Sequence, residues 1–236
     1  MLQEHTNSAA PTRGGVRAAG PPIHVLLVDD HPALRHGIRR LIAEEPDMVM
    51  IAEHGDASAD TGDVARWADV AVIDYHLGDR DGLWLTRQIK RRPSAPRVLI
   101  YSAFANPALA VASIVAGADG LLPKSALAEE LSIAIRRLVH GRQYFPGIPQ
   151  PITAALCSRL EPGDQATFSM LIHGVPPAEI MARLRLTPEE LEARRQAMLR
   201  AIAPKATRAG IPDATHSPLD YDHPGRRRSH PRPDPG

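Results

Sequence analysis

The stretch IHVLLVDDHPALRHGI, residues 23–38, contains the clearest signals of fold and function in the chain. Its first six residues are almost uniformly apolar, which is typical of a strand that helices cover on both faces. Two adjacent acids, Asp29 and Asp30, end this run. An amphipathic helix pattern follows, with an apolar stripe of Leu34, Ile38, Leu41 and Ile42. A strand that leads through two acids into a helix predicts the first half of a βαβ unit.

The same alternation of short apolar runs and helical patterns continues to about residue 140. The predicted strands are Ile23–Asp29, Met48–Glu53, Val70–Asp74, Val98–Ser102 and Gly120–Pro123. The predicted helices are Ala33–Glu44, Asp60–Trp67, Leu83–Arg91, Pro107–Ala116 and Leu127–His140. Five strands that alternate with five helices predict an α/β fold with a doubly wound, five-stranded parallel sheet.

The pattern changes near GIPQP, residues 147–151, after which only short helices are predicted. These helices are Asp164–His173, Pro177–Leu184 and Pro188–Ile202. Their spacing is consistent with a small all-α helix-turn-helix domain. The predicted organisation is a disordered tail at 1–21, an α/β domain at 22–146, a linker at 147–159, the helix-turn-helix domain at 160–211 and a disordered tail at 212–236.

The composition bounds the class of protein. The 236 residues are 43% hydrophobic, which allows a packed core, and the net charge of +1 means that any nucleic-acid-binding surface must be local. One cysteine, Cys157, excludes an internal disulfide framework and fits a reducing compartment. Neither a signal peptide nor an apolar run of about 18 residues is evident. We therefore expect a cytoplasmic protein that does not enter the membrane.

Polar residues stand at the ends of four predicted strands. Asp29 and Asp30 end the first strand, Asp74 the third and Ser102 the fourth, and Lys124 follows the fifth. The carboxyl ends of parallel strands share one edge of the sheet, where ligands bind. Clustered carboxylates need a cation, and Mg²⁺ prefers such oxygen ligands together with phosphate oxygens. Because a carboxylate can attack phosphorus to form an acyl phosphate, the sequence predicts a magnesium-dependent phosphoryl site with one acid as nucleophile.

Four segments carry a family resemblance: VLLVDDHPALRHGI, VIDYHLGDRDGL, VLIYSA and GADGLLPKS. In this order and spacing they closely resemble the receiver domain of two-component response regulators, over about residues 22–141. The resemblance implies a flavodoxin-like, CheY-like receiver fold. It also implies that Asp74 is the phosphoacceptor, Ser102 the signalling hydroxyl and Lys124 the phosphate-binding lysine.

The resemblance implies a ligand set for the metal as well. Asp30 and Asp74 would bind Mg²⁺ directly, Asp29 would act mostly through water, and the backbone carbonyl of His76 would complete the set. The chain departs from the receiver pattern at Leu121, which takes the place of the usual aromatic switch residue. Coupling through a rotating ring is therefore not expected at that position.

Three histidines lie near this predicted site. His31 and His36 are interpreted as surface residues of the first helix, with a metal-binding role as the less favoured alternative. His76 is interpreted either as a residue at the rim of the site that modulates the lifetime of the phosphate or as a solvated loop residue.

Residues 160–202 resemble, less closely, the LuxR-type helix-turn-helix of the NarL/FixJ subfamily. The matched scaffold positions are Leu160, Pro162, Leu171, Gly174, Glu179, Ile180, Leu184, Leu186, Thr187, Leu191, Met198 and Ile202. The predicted recognition helix begins near Pro188, and the residues predicted to contact DNA phosphates are Arg194, Arg195, Arg200 and Lys205.

Three acids, Glu189, Glu190 and Glu192, stand at the start of that helix. They either stabilise a helix N-terminus, where the helix dipole favours negative charge, or include one that accepts a hydrogen bond from cytosine.

These observations predict a cytoplasmic response regulator and not an enzyme. A sensor histidine kinase phosphorylates Asp74 in a Mg²⁺-dependent step, and the helical domain then binds operator DNA, with a phosphorylation-linked homodimer as a further expectation. The acidic start of the recognition helix motivates an alternative, a phospho-regulated adaptor whose helical domain binds protein instead of DNA.

Overall fold

The structure is built on a parallel sheet whose strands are the predicted apolar runs. The computed structural model describes residues 20–78 and 80–203, with the backbone alone for residues 59 and 60. The strands are β1 (Ile23–Val28), β2 (Met48–His54), β3 (Val70–Asp74), β4 (Arg97–Ser102) and β5 (Gly120–Pro123). They pair in the order β2-β1-β3-β4-β5, all parallel. This order reverses direction beside β1, so the doubly wound sheet predicted from the sequence is confirmed.

Side chains alternate between the two faces of the sheet, as the pleat of a strand requires. The helices of this part are α1 (Pro32–Glu44), α2 (Ala59–Ala65), α3 (Gly82–Lys90), α4 (Pro107–Ala116) and α5 (Ala128–Val139). Leu27 and Val72 pack on one face with residues of α1 and α5. Leu26 and Ile73 pack on the other face with residues of α2, α3 and α4. Both faces are therefore covered by helices, which explains why the strands are apolar throughout.

Helix α4 differs from its neighbours because it is buried all round. Its sequence, PALAVASIVA, contains no charged residue, and the five consecutive residues from Leu109 to Ser113 are all buried. Successive helical residues point about 100° apart, so five in a row cover the whole circumference. In α1, by contrast, only Ile38 and Ile42 are buried. The sheet and α3 cover part of α4, and helices that follow in the chain cover the rest.

Four helices follow: α6 (Gln150–Cys157), α7 (Pro162–Ile172), α8 (Pro177–Leu184) and α9 (Pro188–Ile202). Helices α6, α7 and α9 contact α4, and Phe168 and Met198 belong to the same apolar cluster as Val111 of α4. The predicted linker at 147–159 therefore contains a helix, α6, whose Leu156 is buried in this cluster. The eight-residue span was too short for its apolar pattern to be recognised in the sequence.

Elsewhere the predicted elements differ from the structure mainly at their ends. The chain also forms a small hairpin of His76–Leu77 and Arg80–Asp81, which was not predicted. Apart from residues 20 and 21, the predicted tails lie outside the described residues. The described residues all fall within one compact unit, so the division into two domains stays a prediction. Among the described helices, none has the length and apolar character needed to cross a membrane.

Candidate functional site

The carboxyl edge of the sheet brings together the polar residues that follow the strands. Asp29 comes directly after β1 and is fully buried, while Asp74 ends β3 and is 2% exposed. Lys124 follows β5 and reaches both acids, with its Nζ 2.7 Å from Asp29 Oδ2 and 2.7 Å from Asp74 Oδ2. Three residues from three separate strands thus meet at one point, as the positions of the strand ends predicted.

Backbone amides hold the two buried carboxylates in place. Asp29 Oδ1 accepts a hydrogen bond from the backbone N–H of His31 (2.8 Å), and Asp74 Oδ1 accepts one from the backbone N–H of His76 (3.2 Å). Each acid therefore keeps its second oxygen directed toward Lys124. This arrangement follows from chain geometry, because an acid that ends a strand can bond to the amide two residues later.

Helix α3 approaches the end of β3 closely, and a glycine permits the approach. A Cβ atom on Gly82 would lie 2.3 Å from the backbone oxygen of Asp74, a distance that no side chain tolerates. The preceding Asp81 caps the helix, since its Oδ1 accepts a hydrogen bond from the backbone N–H of Trp84 (2.7 Å). The Asp81-Gly82 pair thus fixes the backbone next to Asp74 and leaves room for it.

Four side chains at this edge could hold a metal ion together. One ligand atom each from Asp29, Asp30, His31 and Asp74 lies within 4.8 Å of the others. The ammonium of Lys124 lies 2.7 Å from both Asp29 Oδ2 and Asp74 Oδ2, so one positive charge serves two buried carboxylates. A cluster of carboxylate oxygens of this kind fits a hard divalent cation such as Mg²⁺. The three aspartates predicted as metal ligands therefore lie close enough together to share such a cation, and their role as ligands stays a prediction.

Ser102 and His76 flank this cluster. Ser102 ends β4 beside β3 and is fully buried, and its Oγ accepts a hydrogen bond from the backbone N–H of Phe104 (3.1 Å). The His76 ring packs edge-on against the ring of Tyr75, with centroids 4.7 Å apart, and against that of Phe104, at 6.1 Å. The role of the His76 carbonyl as a metal ligand stays a prediction.

The charges of this edge do not balance. Burial raises the pKa of Asp74, and the nearby Asp29 raises it further, while Lys124 opposes both effects. Burial alone would lower the pKa of Lys124, but Asp29 and Asp74 outweigh it, so this pKa lies above its usual value. Lys124 therefore stays charged, and its single positive charge faces more than one carboxylate.

At the start of α9, Glu190 takes part in capping the helix. Thr187 Oγ1 accepts a hydrogen bond from the backbone N–H of Glu190 (3.1 Å), and Glu190 Oε2 accepts one from the backbone N–H of Thr187 (2.7 Å). This reciprocal capping box satisfies two amides that have no partner within the helix. Glu190 thus stabilises the helix N-terminus, one of the two roles left open by the sequence.

Two further residues of α9 contact the sheet-bearing part of the chain. The Nε of Arg87 in α3 donates to Glu192 Oε1 at 2.7 Å, and both side chains are largely buried. Arg195 is 7% exposed, and its Nη1 donates to the backbone oxygen of Val115 in α4 at 3.3 Å. A Cβ atom on Gly117, which ends α4 with a φ of +95°, would lie 2.6 Å from that Nη1. Gly117 therefore both ends α4 and makes room for the guanidinium.

The four residues predicted to contact DNA have different surroundings. Arg195 is buried against α4, so it cannot reach DNA in this arrangement. Arg194 donates to the backbone oxygen of Gly163 (2.5 Å) and to Thr167 Oγ1 (3.3 Å), both in α7. Arg200 is exposed, and Lys205 lies outside the described residues. Their assignment as DNA contacts stays a prediction, and for Arg195 it requires α9 to leave α4.

His31 is exposed, as interpreted from the sequence, and its Nδ1 also lies 2.6 Å from Asp30 Oδ1 and 3.4 Å from Asp29 Oδ1. The contact between α9 and α4 was missed by reasoning from the sequence. A signal for it was present, because a helix without a charged residue must be covered on every side.

Known proteins of similar sequence cover most of this chain. Residues 25–136 match the family of response regulator receiver domains. The transcriptional regulatory protein UhpA of Salmonella typhimurium is 31% identical over 75% of this chain and 90% of its own length. The nitrate/nitrite response regulator NarL of Escherichia coli is 24% identical over 78% of this chain and 91% of its own. The crystal structure of a LuxR-family response regulator from Aurantimonas sp. SI85-9A1 aligns with a TM-score of 0.52 and 35% identity, covering 57% of this chain and 97% of that one.

Proposed function

The chain belongs to the response regulators of two-component systems, in the NarL/FixJ group, and we propose that phosphorylation of Asp74 controls transcription through its C-terminal helices. One observation carries the proposal. Asp74 ends a central strand, is buried, and is held between the ammonium of Lys124 and the backbone N–H of His76. A sensor histidine kinase, or a small phosphodonor, supplies the phosphoryl group.

The residues of this edge have distinct roles in the transfer. An oxygen of Asp74 forms a bond to phosphorus while the bond from phosphorus to the donor breaks, and the donor leaves with the electron pair of that bond. Asp29, Asp30 and Asp74 would hold Mg²⁺, which when bound neutralises charge on the phosphoryl oxygens. Lys124 turns from the carboxylates to one phosphoryl oxygen, and the hydroxyl of Ser102 donates to another.

The change at Ser102 reaches the C-terminal helices through α4. Residues 103–106 alone separate Ser102 from the start of α4, and Asn106 caps that helix by accepting a hydrogen bond from the backbone N–H of Leu109 (2.9 Å). Helix α4 in turn contacts α9. A shift of Ser102 toward a phosphoryl oxygen therefore displaces the start of the helix on which α9 rests. Phosphorylation favours whichever arrangement of α9 accommodates that displacement.

DNA binding requires the contact between α9 and α4 to open. In the structure Glu192 and Arg195 face α3 and α4, so a DNA backbone cannot approach this side of α9. Opening exposes apolar residues of α4 to water. Large exposed apolar patches on proteins are usually interaction sites, so we expect another protein surface to bind there. A phosphorylation-linked homodimer supplies that surface.

Phospho-transfer to the protein tests the first half of the proposal. Incubation with a labelled small phosphodonor and Mg²⁺ is expected to give an acid-stable, base-labile acyl phosphate on the wild-type chain. Asp74→Asn is expected to abolish the label, and Asp56→Asn, which changes an exposed aspartate outside the site, serves as the control. Undiminished labelling of Asp74→Asn would rule out Asp74 as the acceptor.

A DNA-binding titration tests the second half. The phosphorylated chain is expected to bind DNA with an affinity that falls steeply as salt rises, because phosphate contacts release counterions. Glu192→Arg breaks the contact with Arg87 and is expected to raise DNA affinity without a phosphodonor. Glu189→Arg makes the same charge change at an exposed position of the same turn and is the matched control. Equal affinities for the two variants would show that the contact with Arg87 does not restrain DNA binding.

A second candidate function is favoured by the same contacts. Glu190 caps α9, and Glu192 and Arg195 contact the receiver part, so several polar residues of this helix already serve the protein itself. In this alternative the chain is a phospho-regulated adaptor whose C-terminal helices bind a protein. Failure of the phosphorylated chain to retain any DNA at low salt would select this alternative over a DNA-binding regulator.

A further inference from the structure

The ring of His31 is directed at the acidic cluster, although the residue stands at the exposed start of α1. His31 is the N-cap of α1, with extended backbone (φ −90°, ψ 105°), and its side chain makes no capping hydrogen bond. Its Nδ1 lies 2.6 Å from Asp30 Oδ1, 3.4 Å from Asp29 Oδ1 and 3.8 Å from Asp74 Oδ2. One ring nitrogen therefore faces all three carboxylates.

Hydrogen bonds to Asp29 restrain the backbone at the start of α1 and thereby fix the position of this nitrogen. The backbone N–H of His31 donates to Asp29 Oδ1 at 2.8 Å, and Pro32 begins the helix directly after it. Arg35 adds a second restraint by donating from Nη1 to the backbone oxygen of Asp29 at 2.6 Å. The backbone between Asp29 and α1 is therefore restrained on both sides, and the ring needs no rearrangement of the helix to reach the cluster.

We propose that His31 is a ligand of the divalent cation held by Asp29, Asp30 and Asp74, and that it shifts the preference of the site from Mg²⁺ toward Mn²⁺, Co²⁺ and Zn²⁺. Two observations support a cation at this place: the four ligand atoms lie within 4.8 Å of one another, and the buried carboxylates of Asp29 and Asp74 share a single lysine ammonium. The proposal rests on the proposed function insofar as the acidic cluster must bind a divalent cation.

The shift in preference follows from ligand chemistry. Mg²⁺ binds carboxylate, carbonyl and water oxygens and gains little from an imidazole, whereas Mn²⁺, Co²⁺ and Zn²⁺ accept imidazole nitrogen readily. The affinities for Mg²⁺ and for these three ions therefore differ less at a site of oxygen ligands alone than at a site with one added nitrogen ligand. His31 therefore determines which ion the site prefers, while the three aspartates determine that it binds a cation at all.

Spectroscopy of bound Mn²⁺ tests the nitrogen ligand directly. The full chain loaded with Mn²⁺ is expected to show electron spin-echo modulation from a directly bound ¹⁴N nucleus, and His31→Gln is expected to lose it. His36→Gln changes an exposed histidine one turn further along α1, and His76→Gln removes the other ring close to Asp74. Both controls are expected to keep the nitrogen signal.

Calorimetric titration with each ion gives the second readout. His31→Gln is expected to weaken Mn²⁺ and Zn²⁺ binding by about tenfold, a size typical for the loss of a group that supports a metal site, and to leave Mg²⁺ binding nearly unchanged. If Mg²⁺ and Mn²⁺ bind but no nitrogen signal appears and the ratio of their affinities is the same in His31→Gln, then His31 is not a ligand and the acidic site stands without it. If no divalent cation binds the wild-type chain, both this inference and the magnesium-dependent step of the proposed function are wrong.

Discussion

Each edge of the sheet holds a buried aspartate beside a lysine, but the carboxylates at the two edges differ in how many partners they have. At the amino edge, Asp119 precedes β5 and meets two cations. Its Oδ2 accepts hydrogen bonds from Lys90 Nζ (2.6 Å) and from the backbone N–H of Val98 (2.8 Å), and its Oδ1 accepts one from Arg97 Nη1 (2.8 Å). Lys90 also donates to the backbone oxygen of Pro96 (2.8 Å). Each oxygen of this carboxylate therefore has a donor.

The carboxyl edge lacks this balance. Asp29 and Asp74 share the ammonium of Lys124, and Asp30 adds a third carboxylate close to both. Three carboxylates therefore lie around one lysine ammonium. Such an imbalance costs free energy unless an ion from solution compensates it.

A structural charge cluster and a functional one can be told apart at these two edges by the partners of their carboxylates. Both edges look alike when only the pair of aspartate and lysine is considered, since the shortest ion-pair distances are 2.6 Å and 2.7 Å. The difference lies in the groups around the pair. The amino edge is complete without a ligand, whereas the carboxyl edge, in our proposal, binds a cation and a phosphoryl group.

The largest expected effect is at the amino edge. Asp119→Ala is expected to lower the free energy of unfolding by about 3 kcal/mol, because it leaves Lys90 charged and largely buried without its carboxylate. Urea unfolding at neutral pH measures the change. Asp63→Ala removes an exposed partner of Arg92 and is expected to cost less than about 1 kcal/mol. Equal costs for the two variants would remove the distinction between a completed buried pair and a surface pair.

The second effect concerns the carboxyl edge alone. Addition of Mg²⁺ to about 100 times its Kd is expected to stabilise the wild-type chain by about 2.7 kcal/mol, since the ion binds the folded form only. Thermal unfolding with and without chelator measures it. Asp29→Asn is expected to lose this gain, and Asp119→Asn, though less stable, is expected to keep it. A gain of the same size in Asp29→Asn would show that the ion binds elsewhere.

The smallest expected effect is a change in how the free energy of unfolding depends on pH. The pKa of Asp74 is raised, mainly by burial, so between the ordinary value of 3.8 and its raised value the folded chain binds more protons than the unfolded chain. Stability in that window therefore falls as pH rises. In metal-free buffer Asp74→Asn is expected to lose this contribution to the slope and, above the window, to be more stable than wild type by on the order of 1 kcal/mol, because one of three repelling carboxylates is removed.

Unfolding curves measured from mildly acidic to neutral pH with chelator present check this prediction. Asp119→Asn provides the contrast, because there the loss of a negative charge removes a partner and is expected to lower stability. If Asp74→Asn and the wild-type chain follow the same curve, Asp74 gains nothing from being neutral, and the two edges do not differ in the way described.

Much of the fold and of the carboxyl edge could be predicted because the relevant signals are local. The apolar runs before Asp29 and Asp74 each predict a buried strand, and parallel strands have their carboxyl ends at one edge. Because Lys124 directly follows the last strand, it was expected at the same edge. Its 2.7 Å distances to two carboxylates add the detail that one ammonium serves both acids.

Other features could not be read from local patterns. The direction of the His31 ring depends on how Asp29 and Arg35 hold the backbone at the start of α1. The burial of Arg195 depends on α4, which lies about 80 residues earlier in the chain. An arginine in a helix reads as a solvent-exposed charge in the sequence, and only its packing against Val115 and Gly117 shows otherwise.

The strands, the helices and the acids at strand ends follow from the amino-acid sequence, because hydrophobic periodicity and strand length act over a few residues at a time. Which charges have partners follows from the packing of the folded chain. Asp74 ends a strand and Asp119 precedes one, so the sequence assigned them to opposite edges, but it did not show that two cations meet Asp119 while Asp29 and Asp74 share one. Electrostatic compensation depends on distances of a few ångströms between groups far apart in the chain, so the number of partners of each carboxylate follows only from the assembled sheet.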